Sequence, residues 1–186
     1  QVSRPALASA LHWHQTLIHG PFEPLILRPT TDLYDDNAET VSTCSTQFRD
    51  FGALRSFSGP VRTVRCRNDN QLLRTLLGEP GEGAVLVVDG AGSTEVALLG
   101  DMLAARGASN GWSGLLINGA VRDSAELADI DIGIKALGVN PAKSSKTGAG
   151  EIDVPVTFGG VDFNPGSWVY CDEDGVLVSP SAIDQA

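Results

Sequence analysis

VLVVDGAGSTEVALLGDMLAARGASNGWSGLLINGAVRD, residues 85–123, is the stretch that decides how this chain is built. With Ala84 in front of it, AVLVVD is a continuous apolar run, the pattern of a strand buried on both faces. Glycines follow at 90 and 92, and then Val96, Leu99 and Leu103, with Leu98 and Met102, are spaced as one face of a helix. GLLING at 114–119 is a second strand and turn, from which Val121-Arg122-Asp123 leads into SAEL. Strand, turn, helix, strand, turn is the rhythm of an α/β domain.

The Gly90-Ala91-Gly92-Ser93 turn carries no nucleotide signature. A dinucleotide fingerprint needs a third glycine where Glu95 stands, and the methyl-donor turn D-x-G-x-G needs glycines where Ala91 and Ser93 stand. A phosphate loop fails too, because Lys143 falls one position early in the stretch Gly138 to Ser144. What remains is a tight turn with Ser93 as a helix N-cap. Gly100 interrupts the helical face, at a cost on the order of 1 kcal/mol relative to alanine. Two readings of it stay open: a helix that restarts there, leaving unpaired N–H groups as an anion site, or a close contact between helix and sheet. Asp123 and Glu126 have the spacing of a capping box. Arg122 beside Asp123, on a turn after a buried strand, is instead the placement of a functional group held by a rigid scaffold.

Outward from this centre, VRTVRCR at 61–67 alternates as a strand, with Val61, Thr63 and Arg65 on one face and Arg62, Val64 and Cys66 on the other. Asn68 and Asp69 stand where they would cap the helix NQLLRTLL, which stops at Gly78. Farther upstream, Leu33, Tyr34 and Val41 in TTDLYDDNAETV fit a short helix with Thr30 or Thr31 as N-cap. Its Asp32, Asp35, Asp36 and Glu39 form a solvated face. Downstream, IDIGIKALGV at 130–139 is another strand, and NPAKSSKTGAGE is a polar loop carrying Lys143 and Lys146. VPVTFGGVDF reads as a hairpin around Gly159-Gly160, and WVYCDEDGVLVS as two strands joined at Asp174-Gly175, an acidic turn with too few ligands for calcium. The sum is one mixed α/β domain, richer in β toward its C-terminal half.

The composition narrows the function classes. The 186 residues suit a single domain, and a net charge of −10 argues against nucleic acid while allowing an anionic small molecule at a locally positive spot. Cys44, Cys66 and Cys171 are odd in number and widely spaced, which suggests neither a disulfide framework nor a thiolate metal site and fits a reducing, cytoplasmic setting. No run approaches the roughly 18 apolar residues of a membrane helix. Residues 1–28 read as an added or loosely ordered N-terminal extension ahead of a domain over 29–186, a poor signal peptide, whose His12, His14 and His19 lack the further ligands of a metal site.

TDLYD near the start, FG with FSGPVRTV, VLVVDGAGS, ALLGDMLA, NGAVRD, DIGIKALG, FGGVDFNPG and DEDGVLV occur in this order from about Pro29 to Pro180. In that order and spacing the chain resembles the class II 4-hydroxy-4-methyl-2-oxoglutarate aldolases and their relatives, the RraA-like proteins named as regulators of ribonuclease E. The resemblance implies a compact swivelling β/β/α domain with mixed sheets, assembled as a homotrimer with active sites between subunits. It also implies roles for particular residues. Backbone amides of Gly100, Asp101, Met102 and Leu103 would hold a substrate carboxylate, Arg122 would grip the pyruvyl portion, and Asp123 would anchor a divalent cation, Mg²⁺ or Mn²⁺. Relatives described only as nuclease regulators tend to lack the Gly-Asp pair and the Asp after that Arg; this chain keeps both.

The expected reaction is therefore metal-dependent retro-aldol cleavage of a small 2-oxo acid to two pyruvate molecules, with oxaloacetate decarboxylation through the same enolate. Arg122 and Asp101 are the expected catalytic residues, with Lys146 assisting. The competing chemistry is a Schiff base on Lys135, Lys143 or Lys146. The alternative from another class is a protein that binds and inhibits a ribonuclease E-type enzyme through its acidic surface.

Overall fold

The computed structural model describes residues 27–184, and His12, His14 and His19 of the extension lie outside them. The chain runs α1 (Thr30–Asn37), β1 (Ser42–Thr43), β2 (Arg49–Asp50), β3 (Phe57–Arg65), α2 (Gln71–Leu76) and β4 (Val85–Asp89). It continues through β5 (Ala97–Leu99), α3 (Asp101–Ser109), β6 (Gly114–Val121), α4 (Ser124–Leu127) and β7 (Gly133–Val139). The last third is all β: β8 (Glu151–Ile152), β9 (Val156–Phe158), β10 (Val161–Phe163), β11 (Trp168–Cys171) and β12 (Val176–Ser179).

The strands form one large mixed sheet in the order β1-β12-β11-β3-β4-β6-β7-β2, with β5 beside β6 and β8 beside β3, while β9 and β10 make a separate hairpin. β3 is the hinge of this arrangement. Its first half, Phe57 to Pro60, pairs antiparallel with β11, and from Val61 it runs parallel to β4. Parallel pairing continues from β4 to β6 and from β6 to β7. Such pairs need crossovers, and α2, α3 and α4 supply them.

The apolar run in β4 is continuous because both of its faces are covered. Leu86 and Val88 join a core with Leu73, Leu76 and Leu77 from α2 and its end, Ala104 of α3 and Leu127 of α4. Val85 and Val87 point the other way, into a core shared with Phe158, Phe163, Val169 and Val176. The result is a helical layer, a central sheet and a second β layer, the β/β/α architecture expected above. Gly133 serves the same packing: a Cβ there would lie 2.0 Å from Cδ1 of Phe57, so the ring fits only because the side chain is missing. Leu33 of α1 packs with Val41, Tyr170 and Leu177 in a smaller cluster. Among the described residues no helix is long and apolar enough to cross a membrane.

Several local expectations are corrected. The segment before Gly100 is the strand β5, which pairs with the end of β6 at Ala120 and Val121, so Val96, Leu99 and Leu103 share no helix face and Met102 is exposed. Ser93 caps no helix; its hydroxyl donates to Asn68 Oδ1 and accepts from the Glu95 N–H. Neither Thr30 nor Thr31 caps α1 with its side chain. Thr30 instead gives its N–H and its hydroxyl to the carboxylate of Asp172, 2.7 Å each, so α1 is capped from the β11–β12 turn. Tyr34 is largely exposed, unlike its predicted helix partner Leu33, which is buried. The N-cap of α2 is Asn70, which makes no side-chain cap; Asp69, one residue ahead of it, accepts from the Gln71 N–H at 3.0 Å, and Asn68 caps nothing there.

Candidate functional site

The loops that follow β3, β4, β6 and β7 all leave from the carboxyl ends of parallel strands, where open α/β sheets bind their ligands. The loop after β3 brings Asn70, the turn after β4 leads through β5 to Gly100, β6 delivers Arg122 and Asp123, and the loop after β7 brings Lys143 to Lys146. These segments and α3 line a cleft of about 350 Å³.

One wall is rigid. β5 sits against the end of β6, and the Arg122 N–H donates to the Leu99 carbonyl at 2.9 Å. Asp123 adopts the left-handed region (φ 54°, ψ 43°), a conformation that costs a non-glycine residue about 1 kcal/mol. It stands at the N-cap of α4 yet makes no side-chain cap, so the capping-box reading of Asp123 with Glu126 does not hold. Its Oδ2 instead accepts from Arg122 Nε at 3.1 Å and from the Asp101 N–H at 3.4 Å. Both side chains of the Arg122–Asp123 pair stay about a third exposed, at 31% and 30%.

Gly100 joins the two readings left open by the sequence. The helix does start there: α3 begins at Asp101, and the Ala104 N–H returns to the Gly100 carbonyl at 3.0 Å. The close contact is also real. Gly100 has an extended backbone that any residue adopts, but a Cβ would fall 2.5 Å from Asp123 Oδ2 and 3.2 Å from Arg122 Nε. Glycine is therefore needed for space. In the first turn the N–H groups of Asp101, Met102 and Leu103 have no carbonyl one turn earlier to reach. Carboxylates meet two of them: Asp123 meets that of Asp101, and the Asp101 side chain meets that of Met102 at 2.6 Å.

The opposite wall is the loop after β7, and a buried carboxylate ties it down. Asp69 accepts from Ser145 Oγ (2.8 Å), Thr147 N (2.6 Å), Thr147 Oγ1 (2.7 Å) and Gly148 N (3.2 Å), besides Gln71 N. Burial works to raise this carboxyl, but the bonds from Gln71, Thr147 and Ser145 outweigh it and hold Asp69 well below the usual carboxylate range. The loop so fixed presents Lys143 and Lys146 to the cleft, where Arg74 and Arg106 also line it. Five cationic side chains thus face two carboxylates, Asp101 and Asp123, in a chain whose net charge is −10. An anion is drawn to this spot although the molecule as a whole repels one.

A family model for RraA-like proteins (Aldolase/RraA) matches residues 30–178. The chain belongs to the RraA-like family. It is similar to a Geobacillus kaustophilus protein described as S-adenosylmethionine:2-dimethylmenaquinone methyltransferase, at 45% identity and a TM-score of 0.83 over 84% of this chain and 97% of that one. The RNA-processing inhibitor RraA from Thermus thermophilis matches at 46% identity and TM-score 0.82, over 84% and 95% of the two chains. A more distant structure, RraAS2 of the RNase ES inhibitor RraA family from Streptomyces coelicolor, matches at 27% identity and TM-score 0.65, over 81% and 78%.

In this RraA-like domain all six residues named from the sequence, Gly100, Asp101, Met102, Leu103, Arg122 and Asp123, line one cleft together with Lys143 and Lys146. Lys135 does not join them; it is buried, and its Nζ donates to Asp50 Oδ1 at 2.8 Å. Asn70, Arg74, Arg106 and Ser144 were not foreseen as cleft residues. The sequence signal for the two arginines was the scarcity of positive charge, with 13 Lys and Arg in the whole chain, so that each basic residue outside a pair deserved a location. Asn70 and Ser144 carried no such signal.

Proposed function

We propose that the cleft binds a 2-oxo acid and that the chain is a divalent-metal-dependent aldolase cleaving 4-hydroxy-4-methyl-2-oxoglutarate to two pyruvate molecules. Oxaloacetate decarboxylation is its second outlet. The observation that carries this reading is the Arg122–Asp123 pair set against the N-terminus of α3 through the missing side chain of Gly100.

Asp123 fits a cation. Its Oδ2 is shared by two donors, while Oδ1 has no hydrogen-bond partner among the described residues, and the cleft beside it has room for waters. The described residues hold no cluster of three or more His, Cys, Asp or Glu, and a site with one carboxylate and several waters is what Mg²⁺ accepts. A divalent cation bound there would supply Lewis-acid stabilisation of enolate charge. The chain's own groups do the rest. The α3 N–H groups hold the acid's carboxylate once it displaces the side-chain carboxylates from them. The Arg122 guanidinium donates to the 2-oxo oxygen and strengthens its hold as charge develops there.

In the cleavage the C3–C4 bond breaks. The C4 hydroxyl gives its proton to a water beside Asp101 and becomes the carbonyl of one pyruvate, and the electron pair passes to C3 and onto the C2 oxygen. Asp101, at the mouth of the cleft, orients a water that returns a proton to C3 and completes the second methyl group. Oxaloacetate loses CO₂ from the same position and leaves the same enolate. Met102, 83% exposed at the cleft mouth, is an apolar side chain that a neighbouring subunit of a homotrimer would cover. Three free, buried cysteines fit a cytoplasmic protein.

The similarity to the RNA-processing inhibitor from Thermus thermophilis favours a second reading, a regulator that binds a ribonuclease through its acidic surface. Pyruvate release coupled to lactate dehydrogenase, with Mg²⁺ or Mn²⁺ and with chelator, separates the two. Metal-dependent turnover supports the aldolase. No pyruvate from either acid, together with tight binding of a purified RNase E-type enzyme, supports the regulator. Turnover that survives chelator and is trapped by borohydride would move the chemistry to Lys143 or Lys146.

A further inference from the structure

Two polar oxygens in the cleft wall have no partner. Asn70 donates its side-chain N–H to the Leu98 carbonyl at 3.0 Å, which fixes the amide and leaves Oδ1 buried and unbonded. Ser144, 9% exposed, has a buried hydroxyl that is also unbonded. Both residues line the cleft that holds Arg122 and Asp123. Backbone bonds bring their segments together, from Asn70 N to the Ser145 carbonyl at 3.1 Å and from Ser145 N to the Asn68 carbonyl at 2.9 Å. The Asp69 anchor fixes this junction, so the wall is built before any ligand arrives.

Buried polar groups in folded proteins are almost always bonded, and those left over gather where a ligand or water completes them. Neither oxygen is open to bulk solvent, so what completes them is a water held in the wall or a group seated in the cleft that both residues line. The chemistry of such a group is constrained. The unbonded atom of Asn70 is its Oδ1, an acceptor, which repels a carboxylate oxygen and needs an incoming donor. The serine hydroxyl can donate. A group that donates to one and accepts from the other is a hydroxyl.

We propose that Asn70 and Ser144 form a subsite for the hydroxyl carried by C4, the carbon at one end of the scissile bond. This rests on the aldolase reading and deepens it: the cationic rim draws in the acid, Arg122 and Asp123 take its 2-oxo end, and the Asn70–Ser144 wall selects acids that bear a hydroxyl. Asn70 and Ser144 are thus specificity-determining residues. They lack the basicity to remove the hydroxyl proton and serve to place the C–O bond for cleavage.

The test compares two substrates on the full chain with Mg²⁺. 4-Hydroxy-4-methyl-2-oxoglutarate carries the hydroxyl, and keto oxaloacetate does not. In Ser144→Ala the ratio of the two kcat/KM values should fall about 10-fold, the loss of one neutral hydrogen bond, and Ser144→Thr, which keeps the hydroxyl, should recover it. Thermal melts of both variants check that they are folded. A ratio unchanged within about 2-fold in Ser144→Ala, with both activities falling together or neither falling, overturns the subsite and leaves the aldolase standing. Wild-type protein that acts on neither acid overturns both.

Discussion

Asp69 and Asp123 serve the same cleft from different sides, and they differ in how many of their lone pairs are used. Asp69 is 1% exposed and accepts from five donors spread over both oxygens. Asp123 is left in strained backbone at the end of a buried strand, with two donors on one oxygen and none on the other among the described residues. A saturated carboxylate has nothing left to offer a ligand and acts as architecture. An unsaturated one, held rigidly at a cleft, has spare coordination. The difference separates the residue that builds the site from the residue that works in it, although both are aspartates that begin short helices.

This contrast can be broken by substitution. Asp123→Ala should lower pyruvate formation by at least about 100-fold while leaving the melting temperature near wild type, because the side chain makes no cap on α4 and only one long bond, 3.4 Å, to the first N–H of α3. A variant that unfolds instead would give Asp123 the structural role. Asp69→Asn should do the reverse, costing about 3 kcal/mol of stability through the bonds it breaks, read as a shift of the urea midpoint. The pH dependence follows from the lowered Asp69 carboxyl. A carboxyl held below its unfolded value stabilises the fold fully above about pH 4, and that contribution is lost as pH falls through the lowered value. The gap between wild type and Asp69→Asn should therefore be flat from about pH 5 to pH 8 and close only in stronger acid.

Smaller effects sharpen the same comparison. Gly100→Ala places a methyl against Asp123 and Arg122 and should reduce turnover about 10-fold, with little change in stability because the backbone there is extended. The smallest effect is on Cys66, whose thiol burial and the charges of Asp69 and Asp89 push up to about 12. Native protein at pH 8 should label slowly at Cys66, and Asp69→Asn, by removing a like charge, should raise the rate a few-fold. An unchanged rate in a folded variant would mean that Asp69 is not charged in its bed of donors.

The sequence made the central ladder legible because β4 is an apolar run of the kind that doubly covered strands tolerate, and β6 and β7 are short apolar runs broken at Asn118 and Lys135. It misled at Val96 to Leu103, where three- and four-residue spacing matched a helix. Three of those residues instead form β5, which a shifted register at the end of β6 and the Ala142 carbonyl hold in place. Local patterns cannot report a partner that distant. The same holds for Thr30, which looked like a cap and is itself capped by Asp172. Arg122, Asp123 and the α3 start were readable because they sit on consecutive pieces of one motif. Asn70, Arg74 and Ser144 were not, since only the crossovers between parallel strands bring them to that motif, while Arg106 lies within it on α3, and its cleft-facing side is set by the packing of that helix.

Exchange of the pyruvate methyl protons for deuterium, followed by proton NMR with Mg²⁺, tests enolate stabilisation at Arg122 and Asp123 without assuming the physiological substrate. Exchange by wild type that is abolished by chelator and by Asp123→Ala is the predicted result. Wild-type protein that leaves the methyl signal intact, or exchange that persists unchanged in Asp123→Ala, would contradict it.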